Sequence, residues 1–209
     1  MKTNLKLHKT FVAFLALFLT VGILAGCGKS DEQKKEDAPK FFTEGLNAVK
    51  QGNFDEGIKA YKKAANLGDT DAMYNIGICY YRDKNDPQEA LKWFLKAAEK
   101  GDVDAQVTVG LAYNLGENWG KGIKQDHKKA YKWFLKAAEQ GNATAQRNVG
   151  FYCTNFNEET GVPFDRDEAR KWYRKAADQG DEGAIQALDI MDKADKNNNE
   201  ALDLINKYL

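Results

Sequence analysis

Beyond residue 26 the 209-residue chain has one serine, Ser30, one histidine, His127, and three cysteines, Cys27, Cys79 and Cys153. Nucleophilic catalysis by serine needs a hydroxyl held on a rigid scaffold beside a general base. Ser30 stands instead in the polar run KSDEQKKEDA, and no spacing pairs Cys79 with His127. A histidine-based metal site needs several imidazole ligands, and one histidine here does not supply them. The tail DKNNNEALDLIN places Asp195, Asn197, Asn199 and Asp203 on positions 1, 3, 5 and 9 of a calcium loop. Position 6, however, is Glu200 and position 12 is Asn206, where glycine and glutamate are needed. A polar break followed by a short capping helix from Glu200 to Tyr208 is expected there instead. No catalytic residue, metal or cofactor is therefore expected, and the protein reads as a binder, not an enzyme.

Cys27 is placed differently from the other two cysteines. Lys2, Lys6 and Lys9 precede an apolar run from Phe11 to Leu24, after which the residues shrink to Ala25 and Gly26. This is the layout of a signal peptide. The run of about 14 residues is short of the ~20 that a helix needs to cross a bilayer core, which makes a permanent membrane-spanning anchor the weaker reading. Leu24-Ala25-Gly26-Cys27 resembles the lipobox of bacterial lipoproteins. That resemblance implies cleavage after residue 26 and acylation of Cys27, which would tie the chain to the cell envelope. Gly28 is not the aspartate that retains such proteins in an inner membrane. The resemblance thus implies the periplasmic side of an outer membrane where there are two membranes, and the outer face of the cell membrane otherwise. Residues 27–38, rich in charge and nearly free of side chains to bury, read as a disordered tether.

The leader holds three of the 31 basic residues and none of the 31 acidic ones, leaving 28 against 31. A mature charge near minus three argues against nucleic acid as a partner. The remainder repeats itself: AYKKAANLGDTDA, WFLKAAEKGDVDA, WFLKAAEQGNATA and WYRKAADQGDEGA. Gly68, Gly101, Gly141 and Gly180 stand 33, 40 and 39 residues apart, periods that suit two-helix units. Each glycine can end one helix in a left-handed cap, and Asp69, Asp102, Asn142 or Asp181 can cap the next. Asn53, Asp86, Asp126 and Asp165 mark the second turn of each unit, with Pro87 just inside its cap. The spacing predicts A-helices near 40–51, 70–82, 103–115, 143–154 and 182–193, and B-helices near 54–67, 87–100, 127–140 and 166–179. Trp93, Trp133 and Trp172 share one B-helix position and are expected in the core. Gly77, Gly110 and Gly150 recur in mid A-helix, where they suggest close helix approach. Cys79 and Cys153, on A-helices two repeats apart, are expected to be buried free thiols.

These motifs resemble the Sel-one-like repeats, longer-looped relatives of the tetratricopeptide repeat. Ala105 to Gly141 and Ala145 to Gly180 match the pattern A-x-x-x-L-G-x-x-Y, glycine loop, D-x-x-K-A-x-x-W-x-x-K-A-A-E-Q-G closely. Ala72 to Gly101 has a shorter loop, and Pro39 to Gly68 is closer to a plain tetratricopeptide unit. The resemblance implies an all-α fold, a right-handed superhelical solenoid of two-helix repeats. Its units are expected at 39–68, 69–101, 102–141 and 142–180, with C-terminal capping helices over 181–209. Some cysteine-rich relatives are discussed as β-lactam-binding or hydrolysing proteins, but the cysteine pairs of those repeats are missing here.

Such a fold implies recognition of a protein or peptide on the concave side. With the repeated Ala, Leu-like, Gly and Tyr positions turned inward, helical periodicity places Tyr74, Asn75, Ile78, Tyr81, Val107, Thr108, Leu111, Asn114, Arg147, Asn148 and Phe151 on the opposite face. A second candidate surface is the pair of ten-residue inserts, 116–125 and 155–164, which carry Trp119, Phe156 and Phe164. The expectation is a monomeric envelope adaptor for another protein. An immunity-type inhibitor of a secreted toxin, and a binder or weak hydrolase of cell-wall peptides or β-lactams, are the alternatives.

Overall fold

The computed structural model describes residues 31–154 and 160–208, and these fold as helices with no strand. In chain order they are α1 (Asp31–Lys50), α2 (Phe54–Asn66), α3 (Thr70–Arg82), α4 (Pro87–Glu99), α5 (Val103–Leu115), a 3-10 turn at Gly116–Asn118, α6 (His127–Glu139), α7 (Ala143–Thr154), α8 (Arg166–Ala177) and α9 (Glu182–Tyr208). The first compact unit ends at Asp102 and contains α1 to α4. The second begins at Val103 and contains α5 to α9. Among the described residues no helix is long and apolar enough to cross a membrane.

Sequence dictates the turns. Gly68, Gly101, Gly141 and Gly180 all have positive φ, from 84° to 97°, which costs a glycine little and a Cβ-bearing residue more. The next residue closes the preceding helix from outside. The backbone N–H of Asp69, Asp102, Asn142 and Asp181 donates to Ala64, Ala97, Ala137 and Ala176 respectively, at 3.1–3.2 Å. The side chains of Asp69, Asn142 and Asp181 also accept from the next helix, at Ala72, Ala145 and Ala184. One residue thus ends one helix and starts another, which leaves no room for a loop.

The B-helices begin under aspartate caps. Asp86, Asp126 and Asp165 accept from the N–H three residues on, at 2.8–3.0 Å. Asn53 makes no such bond. The N–H of each aspartate reaches back to a carbonyl at one A-helix position, Tyr80, Tyr113 or Cys153. The stem at the foot of the B-helix is therefore constant in all three repeats, whatever the length of chain between the two helices.

Within each pair the contact is an aromatic ring laid on a glycine. A Cβ on Gly45, Gly77, Gly110 or Gly150 would stand 2.6–2.9 Å from the ring of Tyr61, Phe94, Phe134 or Tyr173. The mid-helix glycines thus admit a ring, and that ring belongs to the residue after each expected core tryptophan. Phe94 and Phe134 are buried, and Trp93 is buried in the core as expected, but Trp133 and Trp172 are only half-buried. The lysine three residues on covers each indole face, at 3.8 Å for Lys96, 4.2 Å for Lys136 and 3.9 Å for Lys175. Where the tryptophan is left half-buried, at Trp133 and Trp172, the cation covers its face.

Two expectations fail at the ends. α1 reaches back to Asp31, so residues 31–38, expected as tether, are helical; residues 27–30 lie outside the described residues. The stretch consists mainly of good helix formers. Once Phe42 and Leu46 are buried on α2's side, elongation N-terminally requires no new nucleus, even with Pro39 inside the helix. At the other end α9 runs unbroken through 195–199. That stretch has neither glycine nor proline, and its asparagines carry only a modest helix penalty.

Gly110→Ala tests the ring contact. Crowding Phe134 costs about 1–3 kcal/mol, against about 1 kcal/mol returned by helix propensity. Denaturant unfolding should show net destabilisation, relieved in Gly110→Ala/Phe134→Leu.

Candidate functional site

The A-helix face is read best by counting from the buried alanine that opens each helix: Ala72, Ala105, Ala145 and Ala184. Six residues on stand Ile78, Leu111, Phe151 and Ile190. In the second unit this position forms a ladder. Leu111 is partly buried, Phe151 is 53% exposed and Ile190 is 66% exposed. Ile190 was outside the sequence-based set. Its signal was legible, because Ala184 continues the alignment into α9.

The other expected residues divide. Tyr74 packs its ring 5.2 Å from Phe94, and Ile78 is half-buried, while Tyr81 is exposed at the end of α3. Val107 packs against the second unit's core. Thr108 donates to the Asp104 carbonyl at 2.8 Å and Asn148 to that of Thr144 at 2.7 Å, so both spend donors on their own helix.

Three assignments need correction. Asn75 is fully buried, 0% exposed, and so lies away from any binding surface; it faces Tyr61, whose hydroxyl burial pushes well above the ordinary tyrosine range. Arg147 is a structural clamp. Its Nε lies 2.9 Å from Asp181 Oδ1, the same oxygen that caps α9 at Ala184, and its stem lies where a Cβ on Gly183 would be. Asn114 accepts a hydrogen bond from the Tyr152 hydroxyl through Oδ1 at 2.8 Å and one from Gln125 through its carbonyl at 2.7 Å. His127 Nδ1 stands 3.3 Å from the same hydroxyl. This chain fastens the first insert to α7, a role the sequence did not reveal.

The inserts are also less open than expected. Ile123 and Val162, 39 residues apart, turn inward and are buried. Trp119 is half-buried, Phe164 is 58% exposed, and Phe156 lies outside the described residues.

Cys79 and Cys153 are free and buried, and burial pushes their thiols up to about 12 and about 11, which suppresses the reactive thiolate. Among the described residues no group of three or more histidine, cysteine or carboxylate side chains could hold a metal. A cleft between α2 and the end of α3 is lined by Ile58, Lys59, Lys62 and Tyr80, with an ion pair between Lys84 and Asp55. It offers no nucleophile and base together.

Helix pairs joined by shared caps and glycine–ring contacts define a helical-repeat protein, a class of interaction scaffold. The Sel1 repeat family matches residues 111–142 and 143–181, and a tetratricopeptide repeat family matches 42–105. A Sel1 repeat protein from Oxalobacter formigenes is 32% identical, with a TM-score of 0.54 over 62% of this chain and 94% of that one. The chain belongs to the Sel1 repeat family. The protective antigen c5321 of uropathogenic Escherichia coli, which displays an SLR fold, is 26% identical, with a TM-score of 0.56 over 74% of this chain; the chain spans only 34% of c5321. No curated protein matches.

Burial also sets a pH dependence. The Tyr152 hydroxyl is pushed up to about 12 by burial, and the two thiols move the same way from 9.0. The unfolded chain releases these protons first, so stability should be full below pH 9 and fall between pH 9 and about 12. Melting temperature against pH checks this. Cys79 and Cys153 should resist a thiol reagent at neutral pH until denaturant is added.

Proposed function

We propose that the protein is a lipid-anchored adaptor of the bacterial envelope that holds a helical or extended segment of another protein on its A-helix face. The observation that carries this is the ladder of Leu111, Phe151 and Ile190, which the repeat sets in register on α5, α7 and α9 and exposes increasingly toward α9. Large apolar side chains aligned on one face of a soluble unit mark an interaction surface more than isolated ones do, and apolar anchors at repeat spacing suit a partner helix or strand. The anchor at Cys27 rests on the lipobox resemblance.

A photo-crosslinking residue in place of Phe151, with Glu139 at the exposed end of α6 as control, tests the face in cells. One protein captured from position 151 alone is expected. Capture of a secreted toxin would make the adaptor an immunity protein, and equal yields from both positions would contradict binding on this face. Cys27→Ala should move the chain out of the membrane fraction. Turnover of a chromogenic β-lactam by the purified protein would overturn the assignment as a binder.

A further inference from the structure

Charge in the second unit is sorted by helix. α6 and α8 together hold nine lysines and arginines against three carboxylates. The A-helices α5, α7 and α9 hold four against seven. A chain whose mature charge is slightly negative therefore carries a strongly basic B-helix side.

Part of that charge is committed locally. Arg166 and Arg170 pair with Asp195 and Asp192 of α9, Lys129 with Asp126, and Lys171 with Glu168. Lys128, Lys132, Lys136, Arg174 and Lys175 form no ion pair among the described residues. The repeat sets these cations around its tryptophans. Lys132, Trp133 and Lys136 on α6 are in register with Lys171, Trp172 and Lys175 on α8, 39 residues on. The indoles are half-buried under an ammonium.

We infer that the outer face of α6 and α8 docks on an anionic lipid surface, so that the B-helices meet the membrane while the A-helix ladder stays open to a partner. Tryptophan beside lysine is the pairing found where a protein meets headgroups, the ring at the interface and the ammonium reaching to phosphate. The unpaired charges stand on long, exposed stems. That suits a fluid array of headgroups better than the fixed carboxylates of an acidic protein. The lipid at Cys27 would keep the chain close, since residues 27–30 before α1 can span at most about 14 Å. The inference shares that anchor with the adaptor reading but does not depend on any protein partner.

The test uses the full chain reconstituted through its N-terminus in phosphatidylcholine vesicles, with or without phosphatidylglycerol, carrying brominated lipid as a tryptophan quencher. Flotation reports anchoring separately. In anionic vesicles we expect quenching that is absent from neutral ones, falls severalfold as salt is raised and disappears in Trp133→Phe/Trp172→Phe. Lys132→Gln/Lys136→Gln/Lys175→Gln should lower it while leaving flotation and helical circular dichroism unchanged. Quenching equal in both lipids, or insensitive to salt in the native chain, would overturn the inference whatever the variants do. So would quenching of anchored protein that survives loss of the three lysine charges.

Discussion

The structure depends on a ring set against a glycine. In each helix pair the A-helix gives up its side chain at one position, and the B-helix fills the space with Tyr61, Phe94, Phe134 or Tyr173. A glycine in mid-helix costs about 1 kcal/mol against alanine. Full burial of an aromatic ring returns more, about 1.5–3 kcal/mol for phenylalanine. The contact also fixes rotation. With Gly110 or Gly150 held under its ring, the position one residue on, Leu111 or Phe151, is turned from the partner helix, and the tryptophan before each ring is turned to its edge.

The two surfaces of the second unit are thus consequences of one packing choice. The A-helix side carries few cations and exposes an apolar ladder; the B-helix side places lysines around half-buried indoles. Polar groups between them are largely spent on the protein itself. Arg147 clamps the cap of α9, and Asn114 with Tyr152 and His127 holds the first insert. Apolar area and unpaired charge stay exposed, which suits recognition.

Much of this was legible in the sequence because turns have local causes. A glycine followed by aspartate or asparagine has one good way to end a helix and begin another, and the helices start where those residues stand. Facing was harder to read. Trp133 and Trp172 are larger than their neighbours, yet they stay half-buried while the ring after each enters the core, since that position points at the glycine; at Trp93 both the indole and Phe94 are buried. Asn75 was misread because an amide in an A-helix looks like surface until Tyr61 is packed against it. Arg147 was misread because Asp181, its partner, is 34 residues away. Ile123 and Val162 were missed because a single inward residue in an irregular insert has no periodicity. The helical Asp31–Ala38 segment and the unbroken α9 show composition giving way to helix propagation from a packed neighbour.

Residue-resolved amide hydrogen exchange of the native chain would test the central role of the ring contact most directly. The account predicts that, within each unit, the slowest amides lie on the turns bearing Gly77 and Phe94, or Gly110 and Phe134, with the inserts and the far end of α9 exchanging earliest. Slowest exchange at the caps or inserts, with the glycine-bearing turns opening early, would contradict it.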